Sequence, residues 1–297
     1  MVVFFYTDKN CEFQAKYCVE SIVPRMKKND KLVYFTVGFS SNLSYDNLTK
    51  IRIPYKDYPT FHYYKAELSL AIMDYFPEEE HFCFTDTDIV FSKRLDFEKI
   101  KSDTEYPLAS MGPHEFPFIY EDLKPHDTVS EGVFKGMIRL KTGEYGMPSN
   151  DIIIYDEVPC SKYFNVQERT MRYVWSCFYT FNRSSRDYFE EYVSMCQNKY
   201  LQKHRKWVFP FHDETAFNVC LWKRGANKNL GYAFVNTHNV DFIKKIETEE
   251  STIEKETGKN LDGLGANWEY VHNSNDVMFY HGIKDEETFK ESIKVVI

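Results

Sequence analysis

Phe82-Cys83-Phe84-Thr85-Asp86-Thr87-Asp88-Ile89-Val90-Phe91 is an apolar run interrupted by two carboxylates one residue apart. An apolar stretch without polar alternation is what a strand covered on both faces requires. In an open α/β sheet, ligands bind beyond the carboxyl ends of the strands. Residues i and i+2 at such an end can converge on one cation. Paired hard oxygen ligands suit Mn²⁺ or Mg²⁺ held together with substrate phosphates. The competing reading is a surface turn with two solvated aspartates. The position of the pair, after a complete α/β unit, favours the metal site over that turn.

Working outward, residues 2–7 form another continuous apolar run and read as a first buried strand. Residues 12–26 are helix-like, 32–37 a second strand and 50–54 a weaker third. Residues 64–76 are helical, with Leu68, Ala71, Ile72 and Tyr75 placed on one face. Strand, helix, strand, strand, helix, strand is the order of a nucleotide-binding α/β half with a largely parallel sheet. Residues 113–170 read as a loop-rich insert, with His114, Phe116 and Tyr120 as wall or lid residues and a strand at 151–155. Strand character returns at 172–181. A helix follows with Tyr188, Phe189, Tyr192, Val193 and Cys196 on one face. Another helix begins near Asp213, a residue suited to its first turn, and Gly225 is a plausible stop. Strands are expected at 230–235 and 277–280, and a charged surface excursion at 244–267.

The chain has 297 residues, 43% apolar and 28% charged, as folded soluble chains do. A single domain over 1–297 is expected, its second half completing the sheet of the first. Net charge is −8 with a pI near 5.7, and there is no long basic run. A duplex nucleic-acid partner is therefore disfavoured. An acidic protein still binds an anionic nucleotide when a divalent metal supplies positive charge. The seven cysteines are scattered with no CxxC pair, which points to reduced, buried thiols. No apolar stretch reaches membrane-spanning length and no basic leader precedes the first strand, so a cytoplasmic protein is expected.

Five ordered stretches resemble the family 8 glycosyltransferases, the glycogenin and galactosyltransferase type with a GT-A fold. They are Val2-Val3-Phe4-Phe5-Tyr6-Thr7, Tyr64-Lys65, Asp86-Thr87-Asp88, His212-Asp213-Glu214-Thr215-Ala216-Phe217-Asn218, and Phe279-Tyr280-His281-Gly282-Ile283-Lys284. The resemblance implies a fold with a mixed, mainly parallel central sheet flanked by helices. It implies a nucleotide-sugar donor, a UDP-sugar by analogy, and a glycan or other hydroxyl acceptor. Residues 1–112 would form the donor-binding half and 113–297 the acceptor-binding half. By the same analogy Asp86, Asp88 and His281 hold Mn²⁺ or Mg²⁺, and Tyr6, Thr7, Lys65, Asp86 and Lys284 contact the donor. Asp213 and Glu214 are the catalytic carboxylates, serving as general base if the enzyme inverts or stabilising an oxocarbenium-like state if it retains. The chain departs from the family pattern at Cys177, where glycine is usual, and at Glu214 and Thr215. Its His281, Gly282 and Lys284 are also closely spaced.

Two other functions compete. Asp86-Thr87-Asp88-Ile89-Val90 also fits the first motif of haloacid-dehalogenase phosphohydrolases, with Asp86 as nucleophile. That motif normally lies on a first strand, and no later Gly-Asp-x-x-x-Asp motif follows here. A non-catalytic nucleotide-sugar binder on the same fold is the second alternative. The tryptophans read as core by default, with Trp207 as the best acceptor platform.

Overall fold

The computed structural model describes residues 1–111, 127–128, 138–140, 152–154, 174–198, 213–225, 233–236, 239–248, 252–254, 271–273 and 277–297. The readings for His114, Phe116, Tyr120, Trp207, His212 and Trp268 lie outside these residues.

The first half alternates as the sequence implies. Its elements are β1 (Val2–Thr7), α1 (Glu12–Ile22), β2 (Lys31–Val37), β3 (Leu48–Ile53), α2 (Tyr64–Tyr75), β4 (His81–Thr85), β5 (Ile89–Phe91) and β6 (Leu108–Met111). Three short strands, β7 (Asp127–Thr128), β8 (Ile138–Leu140) and β9 (Ile152–Ile154), pair antiparallel with one another. Then come β10 (Val174–Asn182), α3 (Arg186–Gln197), α4 (Asp213–Lys223), β11 (Ala233–Asn236) and α5 (Val240–Thr248). The last elements are β12 (Thr252–Glu254), β13 (Val271–Asn273), β14 (Val277–His281) and α6 (Glu286–Val296).

The six-stranded sheet runs β3-β2-β1-β4-β10-β6. The pairs among β3, β2, β1 and β4 are parallel, whereas β10 is antiparallel to both β4 and β6. The sheet is therefore mixed and mainly parallel, with helices against it. Burial on both faces explains the unbroken apolar runs. Along β1, Val2, Phe4 and Tyr6 join one core and Val3 and Phe5 the other. The first core takes Ala66, Leu68, Ile72 and Met73 from α2 and the aromatic face of α3. The second takes Ala15, Cys18, Val19 and Ile22 from α1. A three-stranded sheet of order β11-β14-β5 stands beside the large one. Asp86-Thr87-Asp88 is the link by which the chain passes from β4 into that smaller sheet.

Some expectations need correction. Tyr75 does not share the buried face of Leu68 and Ile72: it is 53% exposed at the end of α2 and touches Phe35 with its ring. Part of the charged excursion at 244–267 is helix α5, whose Ile243 and Ile246 are buried and whose start is capped by Asn239. Helix α6 follows the last expected strand and lies outside the expected elements. Asp285 caps it through the Thr288 N–H at 2.8 Å, and Phe289, Ile293 and Val296 bury one face. Among the described residues the cysteines are free, five of them buried, and no helix is long and apolar enough to cross a membrane.

Arg183 secures the junction between the halves. Its guanidinium donates to the carbonyls of Met73 at 3.0 Å, Phe76 at 2.7 Å and Glu79 at 2.6 Å, closing the end of α2. Arg183→Met strands those acceptors in a partly buried site. We expect a loss of about 2–3 kcal/mol in urea unfolding, with Mn²⁺ affinity unchanged; an unaltered midpoint would contradict this role.

Candidate metal centre and cleft

Asp86 and Asp88 flank Thr87 at the end of β4, and His281 ends β14. What brings them together is strand register. His281 is the cross-strand partner of Ile89 in the antiparallel β14–β5 pair, so it sits beside Asp88. The following turn closes over the same residue, with Gly282 and Ile283 donating their N–H groups to the Asp88 carbonyl at 3.0 and 3.1 Å. Gly282 makes that turn with a φ of +86°, a conformation that side chains with a Cβ resist. Asp86 is pinned through its own N–H, which donates to the Cys177 carbonyl at 2.7 Å. One ligand atom from each of Asp86, Asp88 and His281 lies within 4.8 Å of the others. The His281 Nε2 is 3.5 Å from Asp88 Oδ1. Two carboxylate oxygens and an imidazole nitrogen form a donor set suited to Mn²⁺ or Mg²⁺.

Lys65 lies behind the acidic pair. It enters at the head of α2, is only 3% exposed, and reaches both Asp86 Oδ1 at 3.3 Å and Asp213 Oδ2 at 3.2 Å. Its ammonium also donates to Ser176 Oγ at 3.2 Å. Burial alone would lower the Lys65 pKa, but the charges of Asp213 and Asp86 outweigh it and hold the group well above the ordinary lysine value. The two carboxylates respond differently to the shared lysine. Burial raises the Asp86 carboxyl, Lys65 opposes this, and Asp88 adds a like charge, leaving it above the usual carboxylate value. Burial also acts upward on Asp213, but Lys65, with Ser176 donating to its Oδ2 at 3.2 Å, holds it below that value.

Asp213 and Glu214 stand in the first turn of α4. The Asp213 carboxylate is taken by Lys65, Ser176 and, at 3.5 Å, the Tyr192 hydroxyl. Glu214 Oε2 accepts the Ser176 N–H at 3.1 Å. Asn218, one turn on, clamps α4 to β10 by bonding both the N–H and the carbonyl of Val174 at 2.8 Å.

Asp86, Asp88, His281, Lys65, Asp213 and Glu214 line a cleft of about 480 Å³, within the size range of small-molecule sites. Tyr6 and Thr7, at the end of β1, lie in its wall. The Tyr6 hydroxyl donates to the Phe61 and His62 carbonyls at 3.4 and 3.3 Å, and Thr7 Oγ1 is 2.6 Å from the Tyr34 hydroxyl. Of the nine site residues expected from the sequence, eight line the cleft. Lys284 does not; it is exposed on the turn after β14. The cleft is also lined by residues outside the expected site, including His62, Trp175 and Ser176. Trp175, expected in the core, is half-buried, with its ring 5.7 Å from that of His281 at 85°. The signal in the sequence is the departure from the resembled pattern at Cys177, two residues beyond Trp175.

No protein-family model matches this chain, and no curated protein sequence matches it.

Proposed function

We propose that this chain is a metal-dependent glycosyltransferase of the GT-A kind, moving a hexosyl or pentosyl group from a nucleotide-sugar donor, a UDP-sugar by analogy, to the hydroxyl of a glycan or other acceptor. The observation that carries the reading is the convergence of Asp86, Asp88 and His281 at one end of a cleft that also holds Asp213 and Glu214. A cation site at the carboxyl end of a mainly parallel sheet is the place where such a fold takes phosphates.

Asp86, Asp88 and His281 would hold Mn²⁺ or Mg²⁺, which when bound supplies Lewis acidity and neutralises a diphosphate leaving group. Lys65 fixes the Asp86 carboxylate and offsets its repulsion from Asp88. Asp213 is committed to Lys65 and Ser176, which makes it a weak base. Glu214, which lines the cleft beside Ser176, is the carboxylate we assign to the acceptor. It takes the proton of the incoming hydroxyl or, fixed and charged, stabilises an oxocarbenium-like state. In either role Glu214→Gln is expected to lower turnover by at least about a hundredfold with donor affinity changed much less. Unchanged turnover would remove Glu214 from the chemistry.

The test is donor binding and slow donor hydrolysis across a panel of nucleotide sugars, with Mn²⁺ and with a chelator. Mn²⁺-dependent release of nucleoside diphosphate from one donor supports the reading. Hydrolysis of simple phosphate esters, with no donor bound, supports the phosphohydrolase alternative instead. Donor binding without release under any condition supports the binding-only alternative.

A further inference from the structure

Trp175 has no part in the roles assigned above, yet the fold takes trouble to place it in the cleft. The β10–β6 pairing jumps from Val174↔Met111 to Tyr179↔Ala109, five positions along β10 against two along β6. The β10–β4 ladder begins only at Phe178, opposite Thr85. Among the described residues, 175–177 thus stand outside the ladders to β4 and β6, on an irregular segment held against the acidic link by the Asp86–Cys177 bond. Irregularities of this kind re-aim side chains next to ligand sites.

Trp175 is half-buried: its side chain packs against the core that α1 covers and also lines the cleft. The metal corner adjoins it through His281, and the carboxylates of Asp213 and Glu214 adjoin it through Ser176. An apolar face with polar groups at its margin matches the chemistry of a pyranose or pentose ring, whose C–H face packs on an aromatic surface while its hydroxyls take hydrogen bonds. A naked diphosphate has no use for such a surface.

We propose that Trp175 is a specificity-determining residue: it forms the wall on which the sugar ring of the donor lies, between the cation site and Glu214. This rests on the glycosyl-transfer reading. It is tested by calorimetry in the presence of Mn²⁺, comparing UDP with the UDP-sugar that the wild-type chain binds best. Trp175→Leu keeps apolar volume in the core and removes the aromatic face; Trp175→Phe keeps a smaller face. In the Leu variant the UDP-sugar is expected to bind about tenfold more weakly, with UDP affinity unchanged; the Phe variant should lie between it and wild type. Equal weakening of UDP, UDP-sugar and Mn²⁺ would overturn the proposal by making Trp175 only a prop for His281. Unchanged binding of all three would overturn it also. A wild-type chain that binds no nucleotide sugar would remove the glycosyl-transfer reading itself, a different result from either.

Discussion

Asp88→Ala is expected to abolish Mn²⁺-dependent donor binding while leaving the fold intact. The substitution removes one of three converging ligands and leaves Asp86 and His281, too few to hold a hard cation against water. The loss in Mn²⁺ affinity should exceed about a hundredfold, beyond what the loss of an outer-sphere partner costs. Stability should survive because the structural work at this position is done by the main chain. The Asp88 carbonyl, not its carboxylate, accepts the N–H groups of Gly282 and Ile283. Removing a carboxylate next to Asp86 also relieves like-charge repulsion. Calorimetry with Mn²⁺ and nucleotide, beside a thermal melt, separates the two effects. Wild-type-like donor affinity in the variant would sink the metal assignment.

Lys65→Met should have the opposite character, a large loss of stability as well as of function. The substitution leaves the Asp213 carboxylate buried without its cation and removes the group that holds Asp86. Breaking a buried pair by deleting one partner costs about 3–5 kcal/mol, and the partial exposure of Asp86, 26%, places this case toward the lower figure. The pH dependence has a definite sign. In the wild type Asp213 is held below its ordinary value, so its contribution is fully present above the unfolded carboxylate value of about 3.9 and is lost as pH falls through the folded one. Without Lys65 the upward push of burial loses its largest opposing charge, leaving mainly His62 and the Ser176 hydrogen bond against it. The folded variant then binds protons more tightly than the unfolded chain, and its stability rises as pH falls. The gap between variant and wild type should therefore narrow from pH 7 to pH 5 in urea unfolding with chelator present. A constant gap would mean that Lys65 stabilises the fold by packing alone.

The parts of this molecule that were readable in the sequence share a physical cause. β1, β2 and β4 are buried on both faces, so their residues form unbroken apolar runs, and the carboxylates at the end of β4 interrupt such a run. Asp86 and Asp88 were legible for that reason, and His281 because it closes another apolar strand. What was hidden depends on contacts between distant segments. The resemblance marks Lys65 as a donor contact, but only β10 and α4 reveal it as a buried cation shared by Asp86 and Asp213. Trp175 belongs to an aromatic stretch with no periodic mark of the irregularity that turns it toward the cleft. The register that sets His281 beside Asp88 is a property of the β14–β5 pair, which no local pattern encodes. By contrast, α6 carried a usable signal, Asp285 as cap with Phe289, Ile293 and Val296 spaced along one face. In α5 the dense charge of Lys244, Lys245 and Glu247 obscured Ile243 and Ile246.

The most direct measurement is anomalous diffraction from crystals of the chain grown with Mn²⁺ and UDP. The expected result is a manganese peak bounded by Asp86, Asp88 and His281, with the diphosphate beside it in the cleft that Trp175 and Glu214 line. A manganese peak elsewhere, or UDP bound away from that cleft, would contradict the central claim.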